Sequence, residues 1–196
     1  MWDARYESNP FYYGRMPNDF LVSAASSIPK GRVLCLAEGE GRNSVFLARS
    51  GYEVTGVDFS EKAITHARSA ALSSGVEVQY LHADLSEFDL GENCWHGIVS
   101  IFCHLPESLR KGLHQRIVRA LRPGGVLVLE SYSPEQLLLG TGGPKDPDML
   151  LSWGQAQKEL QGLEFELGHT LERMVFEGIG HTGASAVTQV IARKPG

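Results

Sequence analysis

Two glycines and two aspartates in this sequence stand where a nucleoside-containing ligand could be bound. Gly39 and Gly41 follow a run of apolar residues and precede a predicted helix. Glycines at such a turn let the polar atoms of a ligand approach the backbone, and the first amides of the helix attract a negative group. Asp58 lies 19 residues beyond Gly39, which suits hydrogen bonds from both hydroxyls of a ribose. Asp84 ends the next predicted strand and could accept the exocyclic amine of an adenine.

Each of these signals also has a structural explanation. The glycines could form only a tight turn, Asp58 could cap the helix that begins after Ser60, and Asp84 could be an ordinary loop residue. The carboxyl ends of neighbouring parallel strands open into one crevice, so the three positions would face the same ligand. Their joint placement therefore favours a nucleoside site over three unrelated features.

A regular alternation of strands and helices positions these residues. Apolar runs predict strands at 32–37, 53–57, 76–81, 97–102 and 126–130. Helices are predicted over 41–50, from Ser60 to Gly75 and from Pro106 to the stop signal at 122–125, with an earlier helix capped by Asn18. Strands that alternate with helices of this length imply right-handed crossovers and a parallel sheet.

The pattern changes after residue 131. Residues 133–147 are rich in glycine and proline and predict a loop, which a short helix at 150–160 follows. Residues 164–176 and 184–192 predict two long strands joined by 177–183, an antiparallel hairpin at the sheet edge. We therefore expect one α/β domain over 1–196, a Rossmann-like three-layer sandwich with a mostly parallel sheet. The hairpin is less typical of the nicotinamide-binding fold, whose sheet is parallel throughout.

Composition limits the classes of function. A chain of 196 residues can bury a sizeable core without disulfides or metals. Its net charge of −5 does not suggest a nucleic-acid partner, and no apolar run approaches the roughly 20 residues that span a bilayer. Cys35, Cys94 and Cys103 form no CxxC pair, so buried thiols are expected rather than disulfides or a metal site. Without a signal-peptide pattern, we expect a cytoplasmic protein with no membrane partner.

A resemblance to the class I methyltransferases that use S-adenosylmethionine (SAM) rests on residues 33–58, on Asp84 and on 121–125, which read Leu-Arg-Pro-Gly-Gly. A finer similarity connects the chain with the tellurite-resistance methyltransferases, which are related to thiopurine methyltransferases. Its more specific features are residues 2–6, 13–14 and 17–21 at the N-terminus, Gly41-Arg42-Asn43, and the closing stretch 177–183. The resemblance covers nearly the whole chain.

The resemblance implies a seven-stranded sheet whose last strand is antiparallel, with SAM or its product S-adenosylhomocysteine (SAH) as the ligand. Gly39 and Gly41 would hold the methionine part of SAM, Asp58 the ribose, and Asp84 with Leu85 the adenine. The further expected cofactor contacts are Glu38, Phe59, Tyr13 and Trp2.

The N-terminal arm and the glycine turn carry two further expectations. Residues 1–17 are rich in aromatic side chains and would close over the cofactor as a lid. The glycine motif of the resembled family usually opens with an acid and a first glycine, where this chain has Cys35 and Ala37. Glu38 stands where a small residue or a cysteine is usual, and we expect it to supply a charge partner for the methionine amino group.

Methyl transfer from a sulfonium needs a nucleophile held in line with the methyl group, and little covalent help. The candidates for the acceptor side are Arg42, His104 and His181, although each could equally be structural. Arg42 could steer an anion. Since the sequence shows no base paired with an acid, we expect a small, soft nucleophile that is already deprotonated, a thiol or a chalcogen oxyanion.

Two alternatives to a methyltransferase follow from the same residues. The loss of the acid and the first glycine at Cys35 and Ala37 would suit a SAM-binding module without activity. A nicotinamide-dependent oxidoreductase would share the strand, the turn and Asp58, but it would require neither Asp84 nor the terminal hairpin. Nucleobase methylation is disfavoured because the Asn/Asp-Pro-Pro-Tyr/Phe stretch is missing after the fourth predicted strand. The sequence determines neither the acceptor nor the oligomeric state.

Overall fold

A computed structural model describes residues 3, 6–7 and 11–196 of the chain, so Trp2 lies outside the described residues. The strands are β1 (Arg32–Leu36), β2 (Glu53–Asp58), β3 (Gln79–His82), β4 (Trp95–Ile101), β5 (Leu121–Tyr132), β6 (Glu164–Glu177) and β7 (His181–Arg193). The α-helices are α1 (Asp19–Ala24), α2 (Arg42–Arg49), α3 (Glu61–Ser73), α4 (Glu107–Ala120) and α5 (Trp153–Glu159). Short 3-10 helices lie at Ala25–Ser27, Pro134–Leu138 and Pro147–Met149.

The seven strands form one sheet in the order β3-β2-β1-β4-β5-β7-β6. The first five are parallel to one another. β7 is antiparallel to both of its neighbours, β5 and β6. The predicted fold class, a mostly parallel seven-stranded sheet with an antiparallel C-terminal strand, is confirmed.

The alternation of side chains along β1 divides the core between the two faces of the sheet. Leu34 and Leu36 pack in the cluster that contains the apolar residues of α4 and α5. Val33 and Cys35 pack in the cluster that contains those of α1 and α2. Helices therefore cover both faces, as a three-layer sandwich requires.

Two predicted helix starts are confirmed by their caps. The Asn18 side chain accepts a hydrogen bond from the amide of Leu21 at 2.9 Å. The Ser60 hydroxyl accepts one from the amide of Ala63 at 3.1 Å. Each satisfies an amide that the first turn of a helix otherwise leaves unpaired.

Several predicted boundaries differ from the structure. β5 begins at Leu121, which pairs with Trp95 ahead of an irregularity in the ladder, so the stop signal at 122–125 lies within the strand. β3 is shorter than predicted because the amide of Val76 still bonds to the carbonyl of Ala71 at the end of α3. The last helix begins at Trp153, because Ser152 and Gln155 form a capping box there.

The hairpin connection is shorter than predicted. Glu177 already pairs with His181 across β6 and β7, which leaves only residues 178–180 for the turn. The amide of Gly180 also donates to the carbonyl of Tyr12, so the N-terminal arm lies against this turn. His181 is therefore the first residue of β7 and buried, not a residue of an open loop.

Across the described residues, no helix combines the length and the apolar character that a membrane span needs.

Candidate active site

The turn after β1 can be formed only by small residues at two positions. Gly39 and Gly41 have φ angles of 63° and 88°, in the region that favours glycine. A Cβ atom on Gly41 would lie 2.7 Å from the Tyr80 hydroxyl and 2.9 Å from the Cβ of Ala67. Ala37 adopts a φ of 47°, so the turn forms with alanine in place of a glycine.

Asp58 ties the glycine turn to the end of β2. One carboxylate oxygen accepts a hydrogen bond from the Gly39 amide and the other from the Ser60 amide, each at 2.8 Å. Asp58 therefore does bond to the start of α3, as the structural explanation of this residue expected. A carboxylate offers about four acceptor positions, so the side chain still has capacity for two ribose hydroxyls. Burial raises the pKa of Asp58, although its hydrogen bonds oppose that shift.

The end of β3 lies directly beside Asp58, since the Ala83 amide donates to the Asp58 carbonyl at 3.0 Å. Asp84 is exposed, and a hydrogen bond from the Ser86 amide lowers the pKa of its carboxyl. Leu85 is buried. The Phe59 ring is 62% exposed. An exposed ring, a carboxylate and a buried leucine suit a flat base, and adenine binding by these residues stays a prediction.

The N-terminal arm reaches the glycine turn through Tyr6. A Cβ atom on Gly39 would lie 3.2 Å from the Tyr6 hydroxyl, and Tyr6 is buried. Asp3 accepts a hydrogen bond from the Ser60 hydroxyl at 2.5 Å. The Tyr13 ring lies 4.4 Å from the His181 ring, and its contact with the cofactor stays a prediction. The described part of the arm thus covers the turn, while its action as a lid stays a prediction.

Two glutamates of the turn are engaged with the protein itself. Glu38 accepts a hydrogen bond from the Ser44 amide at 2.7 Å, and burial raises its pKa to about 7. Glu40 accepts one from the Phe11 amide at 2.6 Å and lies 2.8 Å from His66. Glu38 therefore lies against the start of α2, and its predicted contact with the methionine amino group is not tested by the structure.

A cluster of aromatic rings lies where β4 and β5 end. The Phe102 ring is 4.8 Å from the Tyr132 ring and 4.4 Å from the His181 ring. The His104 ring is stacked on Tyr132 at 5.4 Å, and Tyr13 packs against His181 from the arm. We call Tyr13, Phe102, His104, Tyr132 and His181 the acceptor cluster. The structure thus brings two of the predicted acceptor residues, His104 and His181, into one place.

Three buried polar atoms of the acceptor cluster have no hydrogen bond of ordinary length: His104 Nε2, Tyr132 Oη and His181 Nδ1. The Met149 backbone, Ser185 and Glu177 lie close enough to these side chains to affect their pKa values. Buried polar atoms are normally hydrogen-bonded, and each exception calls for an explanation. Burial lowers the pKa of His104 to about 3. Burial also lowers the pKa of His181, although Glu177 acts against that shift. Both imidazoles are therefore neutral near pH 7.

Arg42 is already paired. Its guanidinium lies 2.5 Å from Glu177 and also donates to the Met16 carbonyl at 3.2 Å. Glu177 accepts further hydrogen bonds from Asn18 and Arg173. Although burial acts against it, His181 and the two arginines hold the pKa of Glu177 at about 2. The charge of Arg42 is thus matched within the protein, and its predicted role toward an anionic acceptor stays a prediction.

The expectation that no base is paired with an acid is wrong. His181 Nδ1 lies 4.0 Å from Glu177 Oε2. Both residues belong to the closing stretch 177–183 and are four positions apart, but they face each other only because β6 and β7 pair at these two residues. Without knowledge of that register, the sequence does not show that His181 and Glu177 are neighbours.

Sequence reasoning also missed Tyr6, Phe102, Tyr132 and Glu177. Tyr132 had a usable signal, since it ends β5 as Asp58 ends β2. Phe102 had none, because its place depends on a positive φ of 51° at the end of β4. In the described part of the chain, no group of three or more His, Cys, Asp or Glu side chains is placed to hold a metal ion.

Comparison with known proteins agrees with this geometry. Residues 33–125 match the family described as "Methyltransferase domain". The chain is 32% identical over 114 residues to the putative methyltransferase YqeM of Bacillus subtilis, an alignment that covers 55% of this chain and 45% of YqeM. The chain thus spans about half the length of the curated relatives it matches.

Solved structures match over nearly the whole chain. One, from work on the conversion of a disulfide bond into a thioacetal group during echinomycin biosynthesis, has a TM-score of 0.79 at 21% identity, covering 99% of this chain and 90% of its own. TehB from Haemophilus influenzae has a TM-score of 0.75 at 18% identity, covering 98% and 67%. These likenesses show the fold, and they do not single out the tellurite-resistance or thiopurine family. The similarity to the methyltransferase-domain family covers residues 33–125.

Proposed function

We propose that the chain transfers the methyl group of SAM to a small thiol held by the acceptor cluster. The observation that carries this proposal is the acceptor cluster, in which His104 Nε2 and Tyr132 Oη are buried without a hydrogen bond of ordinary length. A buried polar group without a partner costs about 1–3 kcal/mol. Such a cost is understandable where a ligand is to supply the missing bonds.

The residues at the ends of β1 to β3 fit SAM. Gly39 and Gly41 leave the backbone of the turn open to the methionine part, and Asp58 retains acceptor positions for the ribose. Asp84 and Phe59, an exposed acid and an exposed ring, suit the polar edge and the face of adenine. When bound, SAM supplies an electrophilic methyl group on a positively charged sulfur. The protein then needs to orient a nucleophile opposite that group.

His181 is suited to take the proton of the acceptor. Its Nδ1 is the ring nitrogen within ion-pair range of Glu177, so we assign the Nδ1–H tautomer to the side of the carboxylate and leave Nε2 as the proton acceptor. Glu177 carries its negative charge at neutral pH, and it would stabilise the imidazolium that forms. This is the arrangement of a general base with an orienting carboxylate.

The proton-transfer energetics favour sulfur over oxygen. A free thiol has a pKa of about 8.5, whereas a phenol has a pKa of about 10. The pKa of His181 lies below its ordinary value, so deprotonation of a thiol is uphill by fewer units than deprotonation of a hydroxyl. A soft thiolate is also a good nucleophile toward a sulfonium methyl.

The reaction balances without a further reactant. The S–H bond of the acceptor breaks and its proton goes to His181. The thiolate sulfur forms a bond to the methyl carbon while the bond from that carbon to the sulfonium breaks, and the electron pair of the broken bond stays on the departing sulfur. The products are a methyl thioether, SAH and a protonated His181, which then returns its proton to water.

Chalcogen oxyanions are the second candidate, because the N-terminal arm and the closing stretch resemble those of tellurite-resistance methyltransferases. An oxyanion would need positive charge at the acceptor cluster. Arg42 and Arg173 lie near it, but they are paired with Glu177 and Glu130. We therefore place the thiol first. A cytoplasmic location fits this choice, because reduced thiols persist there and the three cysteines of the chain are free.

The test is a product assay with SAM labelled in its methyl group. The panel contains small thiols, reduced selenium and tellurium species, catechols, amines, a mixed RNA and a denatured protein. We expect labelled thioethers, with a rate that is flat between pH 7 and pH 8.5 because neutral His181 takes the proton. A rate that climbs about tenfold per pH unit would indicate a preformed thiolate and no base. Transfer only to catechols, or only to a macromolecule, would overturn the thiol assignment.

A protein that binds SAH but methylates no member of the panel would support the alternative of a binding module without activity.

A further inference from the structure

The start of α2 has an unusual cap. Gly41 is the N-cap residue and has no side chain, so it provides no side-chain hydrogen bond to the first turn of the helix. Glu38, three residues earlier, provides that bond instead: its Oε1 accepts the amide of Ser44 at 2.7 Å. The amide of Glu38 itself donates to the carbonyl of Val57 at 3.0 Å. Glu38 is thus fixed at its backbone to β2 and at its side chain to α2, and it spans the whole glycine turn.

Neighbouring elements make room for the Glu38 side chain. A Cβ atom on Gly56 of β2 would lie 3.1 Å from Glu38 Cγ and 2.9 Å from the Tyr80 ring. The Tyr80 hydroxyl is 2.8 Å from that of Ser44, which in turn donates to the carbonyl of Gly41 at 3.1 Å. Glu38 is 7% exposed. The carboxyl therefore lies in a closed space under the turn, and any change in its charge acts directly on residues 37–41.

We propose that Glu38 is the positioning residue of the cofactor turn: its ionised carboxylate caps α2 and so holds residues 37–41 in the conformation that receives the methionine part of SAM. The inference concerns cofactor binding, and it does not depend on the acceptor. A carboxylate at this place interacts favourably with the positive end of the helix, and its hydrogen bond is stronger than that of a neutral acid.

The charged and titratable groups that face Glu38 come from every element around it. Arg42 of α2 favours the ionised form, and Asp58 of β2 opposes it. Cys35 of β1 and Tyr80 of β3 are neutral, since burial first and then the charge of Glu38 raise the pKa of each. Burial brings the pKa of Glu38 itself to about 7. The carboxyl therefore changes charge near neutral pH, and the binding-competent form is the one present above that pH.

The experiment measures the dissociation constant of SAH by calorimetry between pH 5.5 and 8.5, for the full chain and for Glu38→Gln. Glutamine keeps the shape of the side chain and an oxygen for the Ser44 amide but cannot ionise. We expect the affinity of the unmodified protein to rise about fivefold to tenfold across pH 7. Glu38→Gln should lack this rise and should bind at pH 8.5 about as weakly as the unmodified protein does at pH 5.5.

Two further variants separate positioning from plain stability. Glu77→Gln, at an exposed position ahead of β3 and outside the turn, should keep the rise across pH 7. Glu38→Ala should lower the melting temperature and, at a temperature where it is fully folded, should still bind SAH at least tenfold more weakly, since a charged hydrogen bond is lost. A Glu38→Gln protein with the affinity and pH profile of the unmodified protein would overturn the proposal. So would a folded Glu38→Ala protein that loses stability but binds SAH normally.

Discussion

The proposed cofactor side and the proposed acceptor side of the crevice are built in different ways. On the cofactor side, the carboxylates of Glu38 and Asp58 are hydrogen-bonded to backbone amides of the turn and of the following helices. On the acceptor side, polar atoms of His104, Tyr132 and His181 are buried with no hydrogen bond of ordinary length. On the cofactor side the carboxylates that hold the turn have backbone partners before a ligand arrives, although Glu40 Oε2 is buried without one. The acceptor side leaves more bonds for a ligand to make.

The difference indicates where each side obtains its precision. Hydrogen bonds to the backbone fix the glycine turn in advance, which reduces the ordering cost of cofactor binding. The acceptor cluster is held by packing of rings against rings, with centroids 4.4–5.9 Å apart. Aromatic packing fixes the shape of a site without consuming its hydrogen-bonding groups. Substitutions should therefore act on affinity at one side and on rate at the other.

The largest effect is expected for His181→Gln. Loss of a general base typically lowers the rate by about 100-fold to 10,000-fold, while the dissociation constant of SAH should change less than about threefold, well under the worth of one hydrogen bond. Labelled-SAM kinetics and calorimetry on the same preparation give both values. His169→Gln, an exposed histidine on the same hairpin, is the control and should leave both unchanged. If the rate and the affinity for SAH fell equally, His181 would contact the cofactor, and the proposed difference between the two sides would be wrong.

Asp58→Ala should have the next largest effect, and on affinity. Removing one charged hydrogen-bond partner costs about 1.5–3 kcal/mol, so SAH binding should weaken roughly 10- to 150-fold. The loss combines the missing ribose bonds with a looser turn, since the Gly39 amide also loses its acceptor. Asp84→Ala removes an exposed carboxylate and should weaken binding less. If a folded Asp58→Ala protein binds SAH normally, Asp58 serves only the start of α3.

Arg42→Ala distinguishes a structural arginine from one that binds the acceptor. Arg173 still pairs with Glu177 after the change, so the free energy of unfolding should fall by only about 1.5 kcal/mol. For a chain of this length that lowers the melting temperature by about 3–6 °C. Arg49→Ala, at the exposed end of the same helix, should lower it less. A fall in rate for the folded Arg42→Ala protein, with stability unchanged, would instead support the steering of an anionic acceptor.

The same contrast explains what could be predicted from the sequence. Asp58 ends β2, and Gly39 and Asp84 closely follow the ends of β1 and β3, so period, spacing and turn chemistry were enough to locate them in the fold. Local signals also predicted the fold class, the caps at Asn18 and Ser60 and the hairpin. These features depend on residues within one element or one connection.

The acceptor cluster draws on four distant parts of the chain: Tyr13, Phe102 with His104, Tyr132, and His181. It exists only because β7 inserts between β5 and β6 in one register. No spacing within the sequence encodes that register, and the pairing of His181 with Glu177 was accordingly missed. The position of Tyr6 over Gly39 likewise depends on the path of the arm.

The smallest effect, and one that involves both sides, is expected for the N-terminal arm. The arm touches the cofactor side where Phe11 donates to Glu40, and it touches the acceptor side where Tyr12 accepts from Gly180.

Arg15 is exposed beside these contacts and is a site for trypsin. Consider a ligand that binds the protein only when the arm is closed. At about 100 times its dissociation constant, it can lower the population with an open arm by up to about 100-fold. Because Arg15 is already accessible in the closed form, we expect SAH to slow cleavage there by only about tenfold. Cleavage at Lys145, in an exposed loop, should not change. Equal cleavage at Arg15 with and without SAH would show that the arm is a fixed part of the domain and not a lid.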